Sequence, residues 1–413
     1  VLGYLLFVLL PTRRSWTACL GGLVLVACGV LDWRVALLEK ISWNVMGLFV
    51  GTLVLAELFL LSRVPAWLAE WLVDHAPSTR WSMLALCGLS GFLSMFIENV
   101  AVVLLVAPVA LSLADKLRIN PVPLLIGVAV SSNLQGTATM IGDPPSMILA
   151  GHMHLGFLDF FVYQGSPGIF FAVQAGALAA LGVLAFVYRR HRARPTLLPQ
   201  ERIRSWVPTI LLGLLVAGLS LATTVDPDFA WFAGAYTLAL AMAGLLWQAC
   251  RARWIGTGRL LRQLDWDTTC FLMGVFVLVG GLGDSGWMDR LAAWLAGSVG
   301  DHLGLAFVMT VVFSVVVSGF VDNVPFLLMM IPVTQQVAAQ VGAPVPLLLF
   351  GLLIGACLGG NITPIGASAN IVTLGILRRR GQTVTFREFF KIGVPFTVAA
   401  VTCACLFVWV VWR

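Results

Sequence analysis

The chain has 413 residues, of which 60% are hydrophobic and only 11% are charged. Soluble domains carry about 25% charged residues, so this composition excludes an ordinary soluble protein and indicates a bundle of membrane-spanning helices. The formal net charge of +6 comes from arginine-rich connections. In a membrane protein, basic connections mark the cytoplasmic side and do not form a nucleic-acid surface. We therefore expect no nucleic-acid partner. We predict an all-α polytopic membrane protein.

Apolar segments near twenty residues long follow one another, and each predicts a membrane crossing. A partial crossing occupies residues 1–11, and complete crossings are predicted at residues 15–33, 43–62, 167–188, 205–222, 230–249, 268–284 and 390–412. Two further crossings, 119–150 and 343–377, are interrupted by Gly-, Thr- and Pro-rich stretches. Two longer segments, 83–113 and 303–335, carry a carboxylate at the centre and could span once or turn back.

An acidic–Asn–Val triplet occurs twice inside these longer segments, at residues 98–100 and at residues 322–324. A carboxylate near the middle of a bilayer costs about 2.5–3.5 kcal/mol on insertion scales, so it usually serves a function there. The two triplets are 224 residues apart, and the offset persists beyond them. Pairs matched at this offset are Pro108 with Pro332 and Thr139-Met-Ile-Gly142 with Thr363-Pro-Ile-Gly366. Trp43-Asn44 with Trp266-Asp267, and Leu68-Ala-Glu-Trp-Leu72 with Leu291-Ala-Ala-Trp-Leu295, match at an offset one residue shorter.

The chain is therefore predicted to contain a duplicated unit. Each copy comprises a crossing, an amphipathic connector, a hairpin, a broken crossing and a final crossing. We predict N-terminal scaffold helices over residues 1–42, a first unit over 43–188, basic segments with two linking helices over 189–267, and a second unit over 268–413.

Loop charge predicts the orientation of the two units. Basic segments at 189–204, 251–262 and 378–391 should all be cytoplasmic by the positive-inside rule. Three apolar segments, 268–284, 303–335 and 343–377, lie between the second and third basic segments. Both basic segments can be cytoplasmic only if one of the three returns to the side from which it entered, and 303–335 is the candidate. The same reasoning makes 83–113 a hairpin that enters from the cytoplasm. Two such units of opposite orientation form an inverted repeat, which is typical of secondary transporters.

The broken crossings contain residues suited to ion binding. Non-helical backbone at membrane depth is tolerated only where it is buried in protein or lines a wet cavity. Broken helices expose N–H groups that attract anions and carbonyls that coordinate cations. Neutral oxygen ligands of the kind that Na⁺ prefers are Thr137, Thr139, Thr363, Ser368, Asn361 and Asn370, with Gly142 in the first break. The alternative is a pair of Pro/Gly kinks with capping side chains.

The carboxylates allow two interpretations. Glu98 and Asp322, each followed by an Asn (Asn99 and Asn323), could cap the start of a re-entrant helix. They could instead exchange a proton or a cation during transport, and one group can do both. Asp143 is a third candidate and has no acidic counterpart in the second unit.

These motifs resemble the ion transporter superfamily and, within it, the group of arsenite permeases, NhaD-type antiporters and the melanosomal P protein. The likeness covers nearly the whole chain and is most specific in FIENVAVVLLVAPVA, FVDNVPFLLMMIPV, TATMIGDPPSMI and GACLGGNITPIGASANIV. The resemblance implies two re-entrant hairpins and two broken helices around a central site. It also implies a homodimer in which a transport domain moves elevator-fashion against a scaffold domain.

Divalent-anion/sodium symporters, which the chain resembles more distantly, carry Ser-Asn-Thr at both hairpin tips. Here Glu98 and Asp322 replace the serines, and valines replace the threonines. A fixed negative charge repels a dicarboxylate, which argues against citrate- or succinate-type cargo and toward transport linked to H⁺ or another cation. Arsenite permeases have Asn-Asp-Gly at the first tip, and NhaD-type loops lack the Asp-Pro-Pro-Ser element found here, so neither activity is singled out.

We therefore predict a secondary active transporter of the inner (plasma) membrane, and no enzyme, that moves an inorganic ion or small anion and is coupled to H⁺ or Na⁺. The alternatives are an arsenite or oxyanion efflux permease, a Na⁺/H⁺ antiporter and, from another class, an ion channel. Expected partners are the substrate ion, membrane lipid and a second copy of the chain. No cofactor beyond a coupling ion and no structural metal is expected, although Na⁺ could bind at the residues named above.

Overall fold

The computed structural model describes residues 14–191, 193, 201–283, 286–300 and 302–413. The predicted partial crossing at 1–11 lies outside these residues, as does part of the first basic segment, Arg192 and residues 194–200. Apart from its connections, the described chain is helical, with one short antiparallel strand pair, β1 (Val162–Tyr163) and β2 (Ser166–Pro167). The predicted all-α class is therefore confirmed.

The helices repeat in the same order in the two units. The first unit and the helix before it contain α1 (Arg14–Ala27), α2 (Trp43–Leu61), α3 (Val64–Asp74), α4 (Thr79–Ser94), α5 (Asn99–Leu117), α6 (Val122–Gly136), α7 (Pro144–Met153) and α8 (Ile169–Val187). The linking helices are α9 (Val207–Ser220), α10 (Phe232–Trp247) and α11 (Thr257–Gln263). The second unit contains α12 (Trp266–Gly283), α13 (Trp287–Val299), α14 (Leu303–Ser318), α15 (Asn323–Val341), α16 (Val345–Gly359), α17 (Ser368–Arg379) and α18 (Phe386–Trp412). Short helical turns lie at Trp33–Val35, Ala36–Lys40, Leu158–Phe160, Ala222–Val225 and Gln248–Ala252.

Seven of the described helices are long and apolar enough to cross a membrane: α2, α5, α8, α10 with the turn that continues it, α12, α15 and α18. Shorter apolar helices are α1, α6, α9, α14 and α16. The crossing predicted at 15–33 is one of these shorter helices and ends at Ala27. The reason is local, because Gly29 adopts a left-handed φ of +70° and Asp32 accepts the Arg34 backbone N–H at 2.7 Å to start a new turn.

Each carboxylate segment is a helical hairpin. Helices α4 and α5 meet at a tip formed by residues 95–98, and α14 and α15 meet at residues 319–322. The Glu98 carboxylate accepts the Ala101 N–H at 3.2 Å, and the Asp322 carboxylate accepts the Val324 N–H at 3.1 Å. These bonds satisfy donors that the first turn of a helix leaves unpaired, which is why each returning helix starts at its acid.

Each broken crossing is two helices separated by a short stretch of turns and bends. Residues 137–143 separate α6 from α7, and residues 360–367 separate α16 from α17. Pro144 and Pro145 occupy the first positions of α7, where a missing N–H removes no intrahelical bond. The Gly, Pro and Thr residues that interrupt the apolar pattern therefore lie in or beside the breaks.

The helices that precede the two units are exchanged between them. Helix α1 precedes the first unit but packs along α12 of the second, and α10 precedes the second unit but packs along α2 of the first. A Cβ on Gly274 of α12 would lie 2.6 Å from the Ala18 carbonyl carbon of α1. A Cβ on Gly234 of α10 would lie 2.6 Å from the Asn44 carbonyl oxygen of α2. Small residues permit this close approach of membrane helices, and the two units interlock as a result.

Candidate functional site

In the described part of the chain, four helices begin at one cavity of about 60 Å³. Two of them, α5 and α15, start at the hairpin tips, and the other two, α7 and α17, start at the breaks. A helix N-terminus carries roughly half a positive charge, so the four ends together direct about two positive charges toward the cavity. The predicted site residues on its wall are Glu98, Asn99, Asp143, Asp322, Asn323 and Ser368.

The three carboxylates of the wall occupy N-cap positions. Glu98 and Asp322 use an oxygen each to cap α5 and α15, whereas Asp143, at the cap position of α7, makes no side-chain cap bond. The Asp143 carboxylate is also close enough to Glu98 and Asp322 for mutual repulsion. Neighbouring carboxylates in a site of low dielectric are stabilised by a proton or a cation beside them.

The two asparagines of the tips are held by equivalent serines. Ser94 Oγ donates to Asn99 Oδ1, and Ser318 Oγ donates to Asn323 Oδ1 at 2.6 Å. Ser132 Oγ also donates to the Asn99 carbonyl oxygen at 3.2 Å. The two serine bonds occupy the side-chain Oδ1 of each asparagine, so the side-chain Nδ2 is the group that can face the cavity.

Two of the predicted threonine ligands connect each break to its own hairpin. Thr139 Oγ1 donates to the Met95 carbonyl oxygen, and Thr363 Oγ1 donates to the Gly319 carbonyl oxygen. Both threonines are buried and neither lies on the cavity wall. The structure therefore places them as braces behind the site.

Three more predicted residues lie behind the wall. Asn370 Nδ2 donates to the carbonyl oxygens of Gly360 and Thr363, both at 3.0 Å. Asn361 Nδ2 donates to the Val130 carbonyl oxygen at 3.2 Å, and Thr137 is fully buried. The Asn370 amide nitrogen thus closes the second break on itself, and the Asn361 amide nitrogen bonds that break to α6 of the first unit.

Gly142 is required by close backbone contact. A Cβ at this position would lie 2.5 Å from the Gly136 carbonyl oxygen and 2.7 Å from that of Ser94. Its counterpart Gly366 would place a Cβ 2.6 Å from the Gly360 carbonyl oxygen. Either break closes only because no side chain is present.

Sequence reasoning missed Asn133, which is buried and lies on the cavity wall. Its Nδ2 donates to Asn361 Oδ1 at 2.8 Å and to Asn370 Oδ1 at 3.2 Å. The first broken crossing is thereby bonded to the second. A polar amide inside the apolar run of α6 was the signal that could have identified it.

Arg14 was also missed. Its guanidinium lies on the cavity wall and donates through Nη1 to Asp322 Oδ2 at 2.5 Å and to Ser368 Oγ at 3.3 Å. Nη2 donates to Thr268 Oγ1 at 3.1 Å, and the group lies over the Phe271 ring, 5.0 Å from its centroid. A basic residue at the edge of an apolar run was the available signal, but its partners are remote in sequence.

A larger cavity of about 430 Å³ lies between the connector α3 and helices α2 and α5. It contains none of the tip or break residues. Its wall is mainly apolar, with charged groups such as Arg63 and Lys116 at the edge. The tip carboxylates and the helix N-termini are thus grouped at the smaller cavity.

A family model described as "Citrate transporter" matches residues 4–252 and 233–413 of the chain. An uncharacterized transporter of Mycobacterium tuberculosis is 30% identical over 381 residues, which are 89% of this chain and 86% of that protein. The P protein of Homo sapiens is 26% identical over 481 residues, which are 97% of this chain and 57% of that protein. The chain thus spans little more than half of the P protein.

Two solved structures share the fold. The YdaH transporter of Alcanivorax borkumensis superposes with a TM-score of 0.62 at 12% identity, over 94% of this chain and 87% of that one. MtrF of Neisseria gonorrhoeae superposes with a TM-score of 0.55 at 12% identity, over 94% of this chain and 85% of that one. At this identity the likeness concerns the arrangement of helices.

Proposed function

Because the chain belongs to the citrate transporter family and is a multi-pass membrane transporter related to the P protein, we propose that it is a secondary active transporter of a small inorganic ion or anion. The driving force in this proposal is a gradient of H⁺ or Na⁺ across the inner membrane. The observation that carries it is the convergence of four helix N-termini and three carboxylates on one small cavity.

The size and charge of the cavity support a small cargo. A cavity needs about 10–15 Å³ to hold one water molecule, so 60 Å³ accommodates about four to six water-sized groups. An inorganic ion or a small oxyanion fits that space, whereas a tricarboxylate is several times larger. Glu98, Asp143 and Asp322 would also repel a multiply charged organic acid. Citrate is therefore disfavoured as the cargo despite the family description.

The groups around the cavity supply a position for an anion and a neighbouring position for a cation. The N–H groups and positive ends of α5, α7, α15 and α17 favour an anion, and the carboxylates favour a proton or Na⁺ beside it. Filling one position makes the other more favourable, because opposite charges attract strongly where water is excluded. This linkage couples the cargo to the driving ion.

The depth of the site along the first helices of the units supports an elevator movement. Asp322 shares its cavity with Thr268 and Phe271, in the first two turns of α12. Glu98 lines that cavity too, and it also lines a smaller cavity with Phe49 and Thr52, which lie about one turn further along α2. At 1.5 Å per residue the difference between these positions along the two helices is roughly 6 Å. In the proposed movement the hairpins travel along α2 and α12, and the position near the start of α12, next to the basic segment 251–262, is the one in which Asp322 meets Arg14.

The test is transport in proteoliposomes that contain the full chain, with an imposed pH or Na⁺ gradient. Candidate cargoes are arsenite, phosphate and Na⁺ itself, with citrate as the comparison. We expect uphill accumulation of one small ion under one gradient, and its loss in Glu98→Gln. The matched control is Glu57→Gln, which alters a half-buried carboxyl of α2 away from the cavity. Downhill flux without accumulation would favour a channel, and citrate accumulation would refute the proposed cargo.

A further inference from the structure

The two carboxylate tips differ in their electrostatic partners. The Asp322 carboxylate is paired with the Arg14 guanidinium at 2.5 Å, and the two side chains are only 25% and 19% exposed. The Glu98 carboxylate forms no ion pair with any residue that the structure describes. In a duplicated protein, such a difference between equivalent positions indicates a difference in role.

The asymmetry extends to the helix that follows each linking segment. Asp265 caps α12 by accepting the Thr268 N–H at 2.9 Å, where the first unit has Ser42 accepting the Val45 N–H at 3.5 Å. Two residues later the second unit has Asp267 and the first unit has Asn44. The second unit therefore surrounds its tip with more negative charge than the first.

The exchanged helices place Arg14 in that acidic surrounding. Ser15 Oγ of α1 donates to Asp267, just as the Gly234 N–H of α10 donates to Asn44 Oδ1 at 2.6 Å. By this correspondence, the position equivalent to Arg14 is occupied by Ala233. The first unit thus has an alanine where the second has a guanidinium.

Arg14 is associated with α12 and is not part of the hairpin. Helix α1 packs along α12, and the guanidinium contacts Thr268 and Phe271 of that helix. The charged groups that face it are Asp322, Asp265 and Asp267, with Glu98 and Asp143 on the same cavity wall. Among them, Asp322 is the one that makes the short bond from the hairpin tip.

We propose that Arg14 is a fixed competitor for the cation position at Asp322, and that it expels the coupling cation when the tip reaches the start of α12. This inference rests on the proposed function, because it assigns Asp322 a step in the transport cycle of a cation-coupled transporter. Arginine keeps its charge at all physiological pH values, so it can displace either Na⁺ or a proton from Asp322. When the hairpin moves along α12, Asp322 leaves the guanidinium and needs a mobile cation in its place. Each passage therefore carries a cation across and releases it at Arg14.

The experiment compares Arg14→Gln with the unaltered chain in nanodiscs and in proteoliposomes. Na⁺ affinity is measured by calorimetry at fixed pH, and proton binding by a pH-indicator dye, so that the two cations are distinguished. Loss of a competing charge in direct contact should tighten binding of the coupling cation by about ten-fold or more. Net gradient-driven uptake should fall because release is slow, whereas exchange of labelled cargo across the membrane should persist.

Three further variants make the result specific. In Arg14→Gln combined with Asp322→Asn, the gain in cation affinity should disappear. Arg14→Lys keeps a charge with fewer donors, so it should give an intermediate affinity and also serves if the glutamine variant does not fold. Arg34→Gln removes an exposed arginine that stacks on Trp33 and should change neither affinity nor flux.

The outcomes separate this role from the proposed function. Unchanged cation affinity in folded Arg14→Gln, or a gain that persists in the double variant, would overturn the role of Arg14. Flux in the unaltered chain that responds to neither gradient would instead refute the proposed function.

Discussion

Replacing Thr139 by valine tests whether the hydroxyl that connects the first break to the first hairpin holds the site together. The side chain is 1% exposed, and its hydroxyl donates to the Met95 carbonyl oxygen, which is buried at the tip. Valine has nearly the same shape, so the main change is an acceptor that has lost its donor where water cannot replace it. An unpaired buried group of this kind costs about 1–3 kcal/mol.

We expect Thr139→Val to lower the melting temperature in detergent by about 1–4 °C. The maximal rate of gradient-driven uptake should fall more than the apparent cargo affinity, because Thr139 supports the tip from behind and does not lie on the cavity wall. Thr363→Val should behave in the same way, since Thr363 Oγ1 donates to the Gly319 carbonyl oxygen at the equivalent position.

The matched control is Thr224→Val. Thr224 Oγ1 donates to the Leu221 carbonyl oxygen at 2.7 Å, but the side chain is exposed, so water can replace the hydroxyl. Its melting temperature and uptake should match those of the unaltered chain. If Thr139→Val and Thr363→Val melt and transport like this control, the hydroxyls do not brace the tips.

Further substitutions test the breaks, the connection between the units and the loop before α10. Gly142→Ala and Gly366→Ala should each abolish uptake, because the added methyl would lie 2.5–2.6 Å from a carbonyl oxygen, and the uptake assay is the check. Asn133→Leu leaves two buried amide oxygens without their donor and should cost about 2–4 kcal/mol of stability, measured by thermal unfolding. Burial opposes ionisation of Asp226, yet three backbone N–H donors from residues 230–232 outweigh it and lower its pKa. Ionised Asp226 therefore stabilises the folded protein above the unfolded pKa of about 3.9, and this stabilisation is lost as the pH falls through the lower pKa of the folded state. Asp226→Asn should thus flatten the acid side of a plot of melting temperature against pH.

The hairpins and breaks could be predicted from sequence because their signals are local. Glu98, Asp322 and the Pro/Gly stretches interrupt runs of apolar residues, and each interruption coincides with a helix end. The charge pattern of the loops favoured a hairpin over a single crossing, although the side of the membrane on which each loop lies stays a prediction. The helical repeat followed from the nearly constant offset between polar positions.

The wall of the site was harder to predict, because residue type does not say which way a polar atom points. Thr139 and Thr363 carry oxygens suited to Na⁺, but their hydroxyls are used by backbone carbonyls of the tips. Arg14 meets Asp322 across 308 positions of chain, and only the exchange of α1 onto α12 brings them together. Neither fact is contained in a local pattern. Whether the wall residues bind an ion stays a prediction.

The exchange of α1 and α10 between the units has a consequence for biogenesis. Helix α1 leaves the ribosome long before α12, and at about 5–20 residues per second the interval is roughly ten seconds to one minute. During that time its packing surface, with Ala18 and Gly22, has only lipid or an insertion factor to cover it. Separately expressed halves should therefore be poor at assembling alone but should complement each other when produced in one cell.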